Sequence, residues 1–171
     1  EAYDFHGIFT ELHPLCNRDL SAFYFEIRKD RLYCDAADSV ARRATRTVMH
    51  EVFSRLTAWL APILAFTAEE AWQSRDGDVE NSLHLRSYDP VPPEWYDQSV
   101  SARWDGIRRA RQVVTTALEA ARNDGAIGAS LQAAPTVHVS EDIAALFEGE
   151  DAAALFITSG ATISCLSLIH I

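Results

Sequence analysis

Residues 19–35, DLSAFYFEIRKDRLYCD, followed by residues 39–51, SVARRATRTVMHE, set aromatic side chains and cations in alternation over two segments of helical period. Leu20, Phe23, Tyr24 and Ile27 recur three and four residues apart, the spacing of one helix face. Arg28, Lys29 and Arg31 gather beside Tyr33 at the end of that segment, where positive charge suits the negative end of a helix dipole. In the second segment Ser39 is placed to cap a helix running to about Leu60, with Val40, Ala44, Val48, Val52 and Leu56 as its inward i+4 seam. Arg42, Arg43, Arg46 and His50 then share an arc of that helix, since successive residues turn by about 100°. Cationic helix faces interleaved with aromatic side chains match what single-stranded RNA offers: planar bases to stack and phosphates to neutralise.

Outward from this stretch the pattern predicts mostly helix. A first helix is expected from about Tyr3 to Cys16, with Phe5, Ile8, Phe9 and Leu12 on one face, and a second from about Asp19 to Tyr33. Pro62 begins or kinks the next segment, and Thr67 with Glu70 has the spacing of a capping box leading into Ala71 and Trp72. Residues 75–98, with Asp76-Gly77 and prolines at 90, 92 and 93, read as an extended linker. Another amphipathic helix follows from about Val100 to Asn123, ended by Gly125. PTVHVS and ATISCL have the look of short strands around small helices at 143–147 and 152–156. The expected fold is mainly α, a helical bundle over residues 1–98 with the Pro-rich linker at its end, then a small, incomplete α/β unit over 99–165. Phe5, Phe9, Phe23, Phe25, Phe53 and Trp59 are expected in the core.

The chain has 171 residues, of which 48% are hydrophobic, enough to bury a core in one or two small domains. No apolar run approaches the length that crosses a bilayer, so no membrane role is expected. Three cysteines, Cys16, Cys34 and Cys165, are odd in number and far apart, which argues against a disulfide framework and for a reducing, cytoplasmic setting. The net charge of -10 is unevenly spread: residues 103–134 hold 5 basic and 3 acidic groups, while residues 135–171 hold 5 acidic groups and no basic one. Because salt screens charges beyond about 10 Å, a local basic face can hold phosphate on an acidic molecule.

Catalytic readings fail on spacing. Glu69 and Glu70 are adjacent, so on a helix they diverge and make no carboxylate dyad. His50 stands next to Glu51, but no second histidine lies three or four residues away to complete a metal pair. Cys34 has no visible base or oxyanion site. The seven glycines are scattered singly, so no phosphate-cradling loop is present. Neither a catalytic site nor a metal site is expected.

The run LSAFYFEIRKDRLY, residues 20–33, resembles the anticodon-binding domain of class I aminoacyl-tRNA synthetases, in wording most similar to the isoleucine-specific branch. Residues 5–20 resemble that domain's opening helix, Arg42 and Arg43 its basic helix, and APILAFTAEEAW, residues 61–72, its helix-to-helix junction. RWDGIRRARQVVTTALEAARNDGAIGASLQA, residues 103–133, resembles the segment after the bundle. The resemblance implies a tRNA-binding role within a parent that joins isoleucine to its tRNA with ATP and Mg²⁺. Its partners would be the anticodon stem-loop of isoleucine tRNA and the catalytic domain of the same parent, in a cytoplasmic monomer. The nucleotide signatures of HIGH and KMSKS type do not occur, so the chain by itself is expected to be inactive and to hold no cofactor. The absence of any CxxC leaves out the zinc module that the family often carries. The chain opens on Glu1 and its one methionine is Met49, which reads as a piece of a longer protein. Residues 166–171, LSLIHI, fit the resemblance poorly and match a reading frame of a common sequencing adapter, so they are expected to be a non-native tail.

For tRNA contact the resemblance and the pattern together point to Arg28, Lys29, Arg31, Tyr33, Arg42, Arg43 and Arg46. Trp72, Arg108 and Arg111 are further candidates, each with structural packing as the alternative. Arg42 and Arg43 are expected on phosphates, and Lys29 and Arg31 nearer the bases, with Asp30 orienting one of these cations. Two other readings stay open: the equivalent domain of a valyl or other class I ligase, and a helical adaptor whose arginines meet an acidic protein.

Overall fold

The computed structural model describes residues 4–76 and 80–165, in two compact units, residues 1–91 and 92–171. Gly77 of the Asp76-Gly77 pair and the tail at 166–171 lie outside the described residues. The first unit opens with α1 (Phe5–Pro14), whose N-cap Asp4 accepts from the Gly7 amide at 2.8 Å. The chain does not break near Cys16 as expected. It continues as a π-helical segment, Leu15–Phe25, into α2 (Glu26–Tyr33). The change begins at Pro14, which has no N–H and crowds the carbonyl four residues back, so the wider i→i+5 pattern takes over where the α ladder is interrupted.

After the turn at 34–39, α3 (Val40–Leu60) starts at the N-cap Ser39, as expected. Its inward face differs from the expected seam. Val40 is 76% and Val48 43% exposed, and Ala44 is also exposed, whereas Thr45 is buried. Threonine occupies that place because its hydroxyl is satisfied by the Ala41 carbonyl at 2.9 Å. Ala41, Met49, Val52 and Leu56 are half-buried and share its face, so the inward stripe keeps Val52 and Leu56 of the expected seam and departs from it over the first turns. The turn at Ala61–Leu64 contains Pro62 and leads to α4 (Ala65–Asp76). Because α4 starts at Ala65, Thr67 and Glu70 fall inside the helix and form no capping box. The neighbouring Glu69 ties the chain down instead, accepting from the Leu83 amide at 2.8 Å and from Gln73 at 2.6 Å.

Ala61, Ala68, Trp72 and Leu83 make the core of this unit, with Phe53 and Ala58 against it. Phe23 and Phe53 are half-buried as members of the packed face, but Phe5, Phe9 and Phe25 are exposed, a correction to the expected core. The long first helix is covered along one side only.

The second unit is built on α5 (Gln98–Asn123), capped by Asp97, which accepts from the amides of Ser99 and Val100. It ends as expected at Gly125, whose φ of 73° suits a residue without Cβ. The Gly125 amide donates to Arg122 and the Ala126 amide to Ala121, the two bonds of a Schellman end. Beyond it β1 (Thr136–Val139), α6 (Glu141–Leu146), α7 (Ala152–Phe156) and β2 (Thr162–Cys165) follow. The strands pair in parallel from Thr136 with Thr162 to Val139 with Cys165. Ile107, Val114 and Leu118 of α5, with Phe147, Leu155 and Phe156, are buried; the two phenylalanine rings lie 5.8 Å apart. The mainly helical bundle followed by a small α/β unit is the fold class that the sequence predicts.

Candidate nucleic-acid interface

The face set by Leu20, Phe23, Tyr24 and Ile27 turns inward as the period requires: the first three are half-buried and Ile27 is buried. Burial pushes the Tyr24 phenol above its ordinary value, against the opposing pull of the Arg28 charge and of its hydrogen bond with Thr45. That inward face puts Lys29 and Tyr33 outside, Tyr33 with 80% of its surface exposed, while Arg28 and Arg31 are half-buried at the helix flank. On α3, Arg43, Arg46 and His50 are exposed.

Arg42 has a different place. Its Nη1 donates to the Asp35 carbonyl at 2.8 Å, and its amide donates to the Ser39 hydroxyl, which itself donates to the Asp35 carboxylate at 3.1 Å. Its Nε is buried without a partner among the described residues. The guanidinium therefore braces the 34–39 turn that joins α2 to α3. Arg42 and Arg43, which the sequence treats as a pair, point to separate tasks.

Three grooves stand out among the described residues of this unit; in one, about 530 Å³, Arg18 is paired with Asp19 beside Glu11, and the other two differ in lining. One, about 400 Å³, is lined by Phe25, Leu32 and Tyr33 of the first helix and Met49 of α3, with Ser21, Glu26 and Lys29. The other, about 710 Å³, is lined by Phe5, Ile8, Leu12, Trp59 and Tyr88, with Asp4 and Glu11. The larger has two carboxylates and no cation among its lining side chains, a poor setting for a polyanion. The smaller adjoins the cationic hairpin. Its residues Ser21, Glu26, Leu32 and Met49 are ones the sequence reading left out, and Phe25 it assigned to the core. The available signal was the four-residue step Ser21, Phe25, Lys29, Tyr33.

Trp72 is not available to a base. It is 3% exposed, and its indole N–H donates to the Asn81 carbonyl at 2.9 Å. Phe53 and Trp72 are near-parallel, and the Arg75 guanidinium lies 5.0 and 4.2 Å from their centroids, with Arg86 4.3 Å from the Trp72 ring. Arg55 adds a bond to the Pro90 carbonyl at 3.2 Å. Arg55 and Arg86 hold the irregular chain after α4 onto α3 and α4, and Arg75 ties α4 to α3 through Ser54 at 3.1 Å, so Trp72 takes the packing alternative and not the tRNA contact.

In the second unit Arg111 Nε donates to the Leu155 carbonyl at 2.8 Å, which engages its guanidinium at the end of α7. Arg103 does the same for α6, through Leu146 at 2.9 Å and Glu148 at 2.8 Å, with Glu150 as ion partner at 3.2 Å. Arg108 is half-buried and also partnered. Among the described residues no cluster of three His, Cys, Asp or Glu side chains forms a metal site, and no helix is long and apolar enough to cross a membrane.

A family model described as the anticodon-binding domain of tRNA ligase matches residues 1–139. The chain is 48% identical over 161 residues to the isoleucine–tRNA ligase of Gluconobacter oxydans and 48% identical over 164 residues to that of Agrobacterium fabrum. It is 47% identical over 163 residues to that of Bartonella henselae. These alignments take in 94–95% of this chain but 17% of each curated relative, so the chain spans about a sixth of their length. The match begins in the bundle, passes through the cationic hairpin and reaches β1: the chain belongs to the anticodon-binding domain family of tRNA ligases.

Proposed function

We propose that the chain is the tRNA-recognising part of an isoleucine–tRNA ligase, holding the anticodon stem-loop of isoleucine tRNA on the α2–α3 hairpin. The observation that carries this reading is the near-complete alignment with isoleucine–tRNA ligases, joined to a hairpin whose outer face presents Lys29, Tyr33, Arg43 and Arg46 to solvent. Charge on that face attracts phosphate, and an exposed aromatic ring accepts an unstacked base. Arg28 and Arg31 flank it, and Arg42 supports it by bracing the turn.

The parent enzyme works in the cytoplasm as a monomer, and its catalytic domain supplies aminoacylation with ATP and Mg²⁺. The hairpin contributes binding energy far from the reacting ester and so holds the correct tRNA in register. Filter binding with transcribed tRNAs at one fixed salt concentration tests this. Isoleucine tRNA should be preferred over tRNAs with other anticodons. Equal binding to all would favour an adaptor, and a preference for valine tRNA would reassign the branch. In the same preparation isoleucine-dependent ATP–pyrophosphate exchange should stay at background.

A further inference from the structure

We propose that the groove lined by Phe25, Tyr33 and Met49, with Glu26 and Lys29, is a subsite for one unstacked RNA base bearing an exocyclic amine. This rests on the tRNA-binding reading above and deepens it. Phe25, Lys29 and Tyr33 follow one another at four-residue steps, the interval that places side chains one above another on a helix. In a core such a row is ordinary packing. Here Tyr33 is 80% and Phe25 38% exposed, so a ring face is open to a planar guest. Met49 closes the groove from α3. Its volume, about 400 Å³, is within the roughly 300–1,000 Å³ of small-molecule sites and suits one heterocycle with its sugar.

Charge decides which part of the RNA enters. The lining holds one carboxylate, Glu26, and one ammonium, Lys29. A phosphate gains from Lys29 and is repelled by Glu26. A base amine donates to Glu26, and the backbone beside it stays near Lys29. That favours adenine, cytosine or guanine over uracil, which carries no amine. Arg46 is three residues before Met49 on α3 and therefore its neighbour on the helix surface, so the groove opens beside the cationic stripe that the flanking phosphates need. The 710 Å³ groove has no cation among its lining residues to serve that purpose, and in the 530 Å³ groove the cation Arg18 is paired with Asp19 at 3.2 Å.

The test uses the full 171-residue chain and the anticodon stem-loop of isoleucine tRNA as a hairpin, with each loop nucleotide made abasic in turn. Affinity is measured for the original protein, Tyr33→Ala and Glu26→Gln, with folding checked by circular dichroism; both positions are exposed, so the variants should fold. One abasic position should weaken binding about tenfold or more, Tyr33→Ala should weaken the intact hairpin similarly, and the two together should lose little more than either alone. Uracil at that position should weaken the original protein but not Glu26→Gln. If the hairpin binds yet Tyr33→Ala changes nothing, or the losses multiply at every loop position, the groove is not a base subsite, while the tRNA-binding reading stands. Equal sensitivity to uracil in Glu26→Gln would overturn the amine preference. If the original protein binds neither hairpin nor tRNA, both the reading and the subsite fall.

Discussion

Arginine recurs along α2 and α3 in the first unit and along α5 in the second, and the two sets do different work. On the hairpin Arg43 and Arg46 reach solvent; on α5 Arg103 and Arg111 reach carbonyls at the ends of α6 and α7. The cause lies in what faces each helix. An α-helix leaves its last four carbonyls without an internal partner, and in helices of 6 and 5 residues those are most of the carbonyls there are. A guanidinium on the neighbouring helix satisfies them. Among the described residues no such carbonyl bond is made by Arg43 or Arg46, and both stay exposed. A basic helix is thus evidence for RNA contact only after its neighbours' unsatisfied carbonyls have been counted. The arginines at Trp72 extend the lesson: Arg75 and Arg86 stack on a buried ring and are engaged by the fold.

The sharpest way to break this comparison is at that ring. Trp72→Ala should destabilise the chain by about 3–5 kcal/mol, the usual range for removing a large buried aromatic side chain. Urea denaturation followed by circular dichroism reads it. Unchanged stability with reduced tRNA affinity would return Trp72 to the RNA surface.

Next in size is the contrast between α5 and the hairpin. Arg111→Met should cost about 1.5–3 kcal/mol, since it removes a charged donor from a carbonyl at a helix end, and should leave tRNA affinity alone. Arg43→Ala with Arg46→Ala should do the reverse. Stability should hold within about 0.5 kcal/mol, and isoleucine tRNA and a mismatched tRNA should weaken by the same factor. The slope of log affinity against log salt should shrink by about 2. An α5 variant that changed the salt slope would erase the distinction.

Arg42 tests the boundary between the two roles. Arg42→Ala removes one charged-donor bond to the Asp35 carbonyl and should cost about 1.5 kcal/mol in stability. Its effect on tRNA should be smaller than that of the Arg43 and Arg46 pair. A loss of affinity as large as theirs, with stability unchanged, would place Arg42 on phosphate.

The smallest effect is expected at Tyr24. Burial raises its folded-state pKa, so the phenol ionises earlier in the unfolded chain. Stability from this group is complete below the unfolded value near 10, declines as pH rises past it, and is lost by the folded value. Tyr24→Phe should remove that part of the alkaline decline and leave neutral pH behaviour nearly unchanged. Denaturation midpoints between neutral and alkaline pH measure it.

Much of the fold was legible along the chain because the signals are local. Ser39 as a cap, Gly125 as a helix end, and the strands at 136–139 and 162–165 follow from single residues or short periods. The break expected near Cys16 was misplaced because Pro14 can be absorbed by a change of helix type as well as by a stop. The seam expected on α3 holds at Val52 and Leu56 but not over the first turns, because it rests on apolar residues alone, while a threonine with a satisfied hydroxyl packs inward and leaves Val40 and Val48 outside.

The family resemblance, the helical character and the stretch that carries the candidate interface were determined by the sequence itself, since motif wording and helix periodicity are properties of neighbours along the chain. Which cations remain open to RNA was decided by tertiary structure. Arg43 and Arg42 are adjacent in sequence, yet one is in solvent and the other braces a turn seven residues back; Arg111 finds its carbonyl 44 residues away. A long, flexible cation ends on whichever acceptor the fold brings within reach, and that distance is set by packing, not by position in the chain.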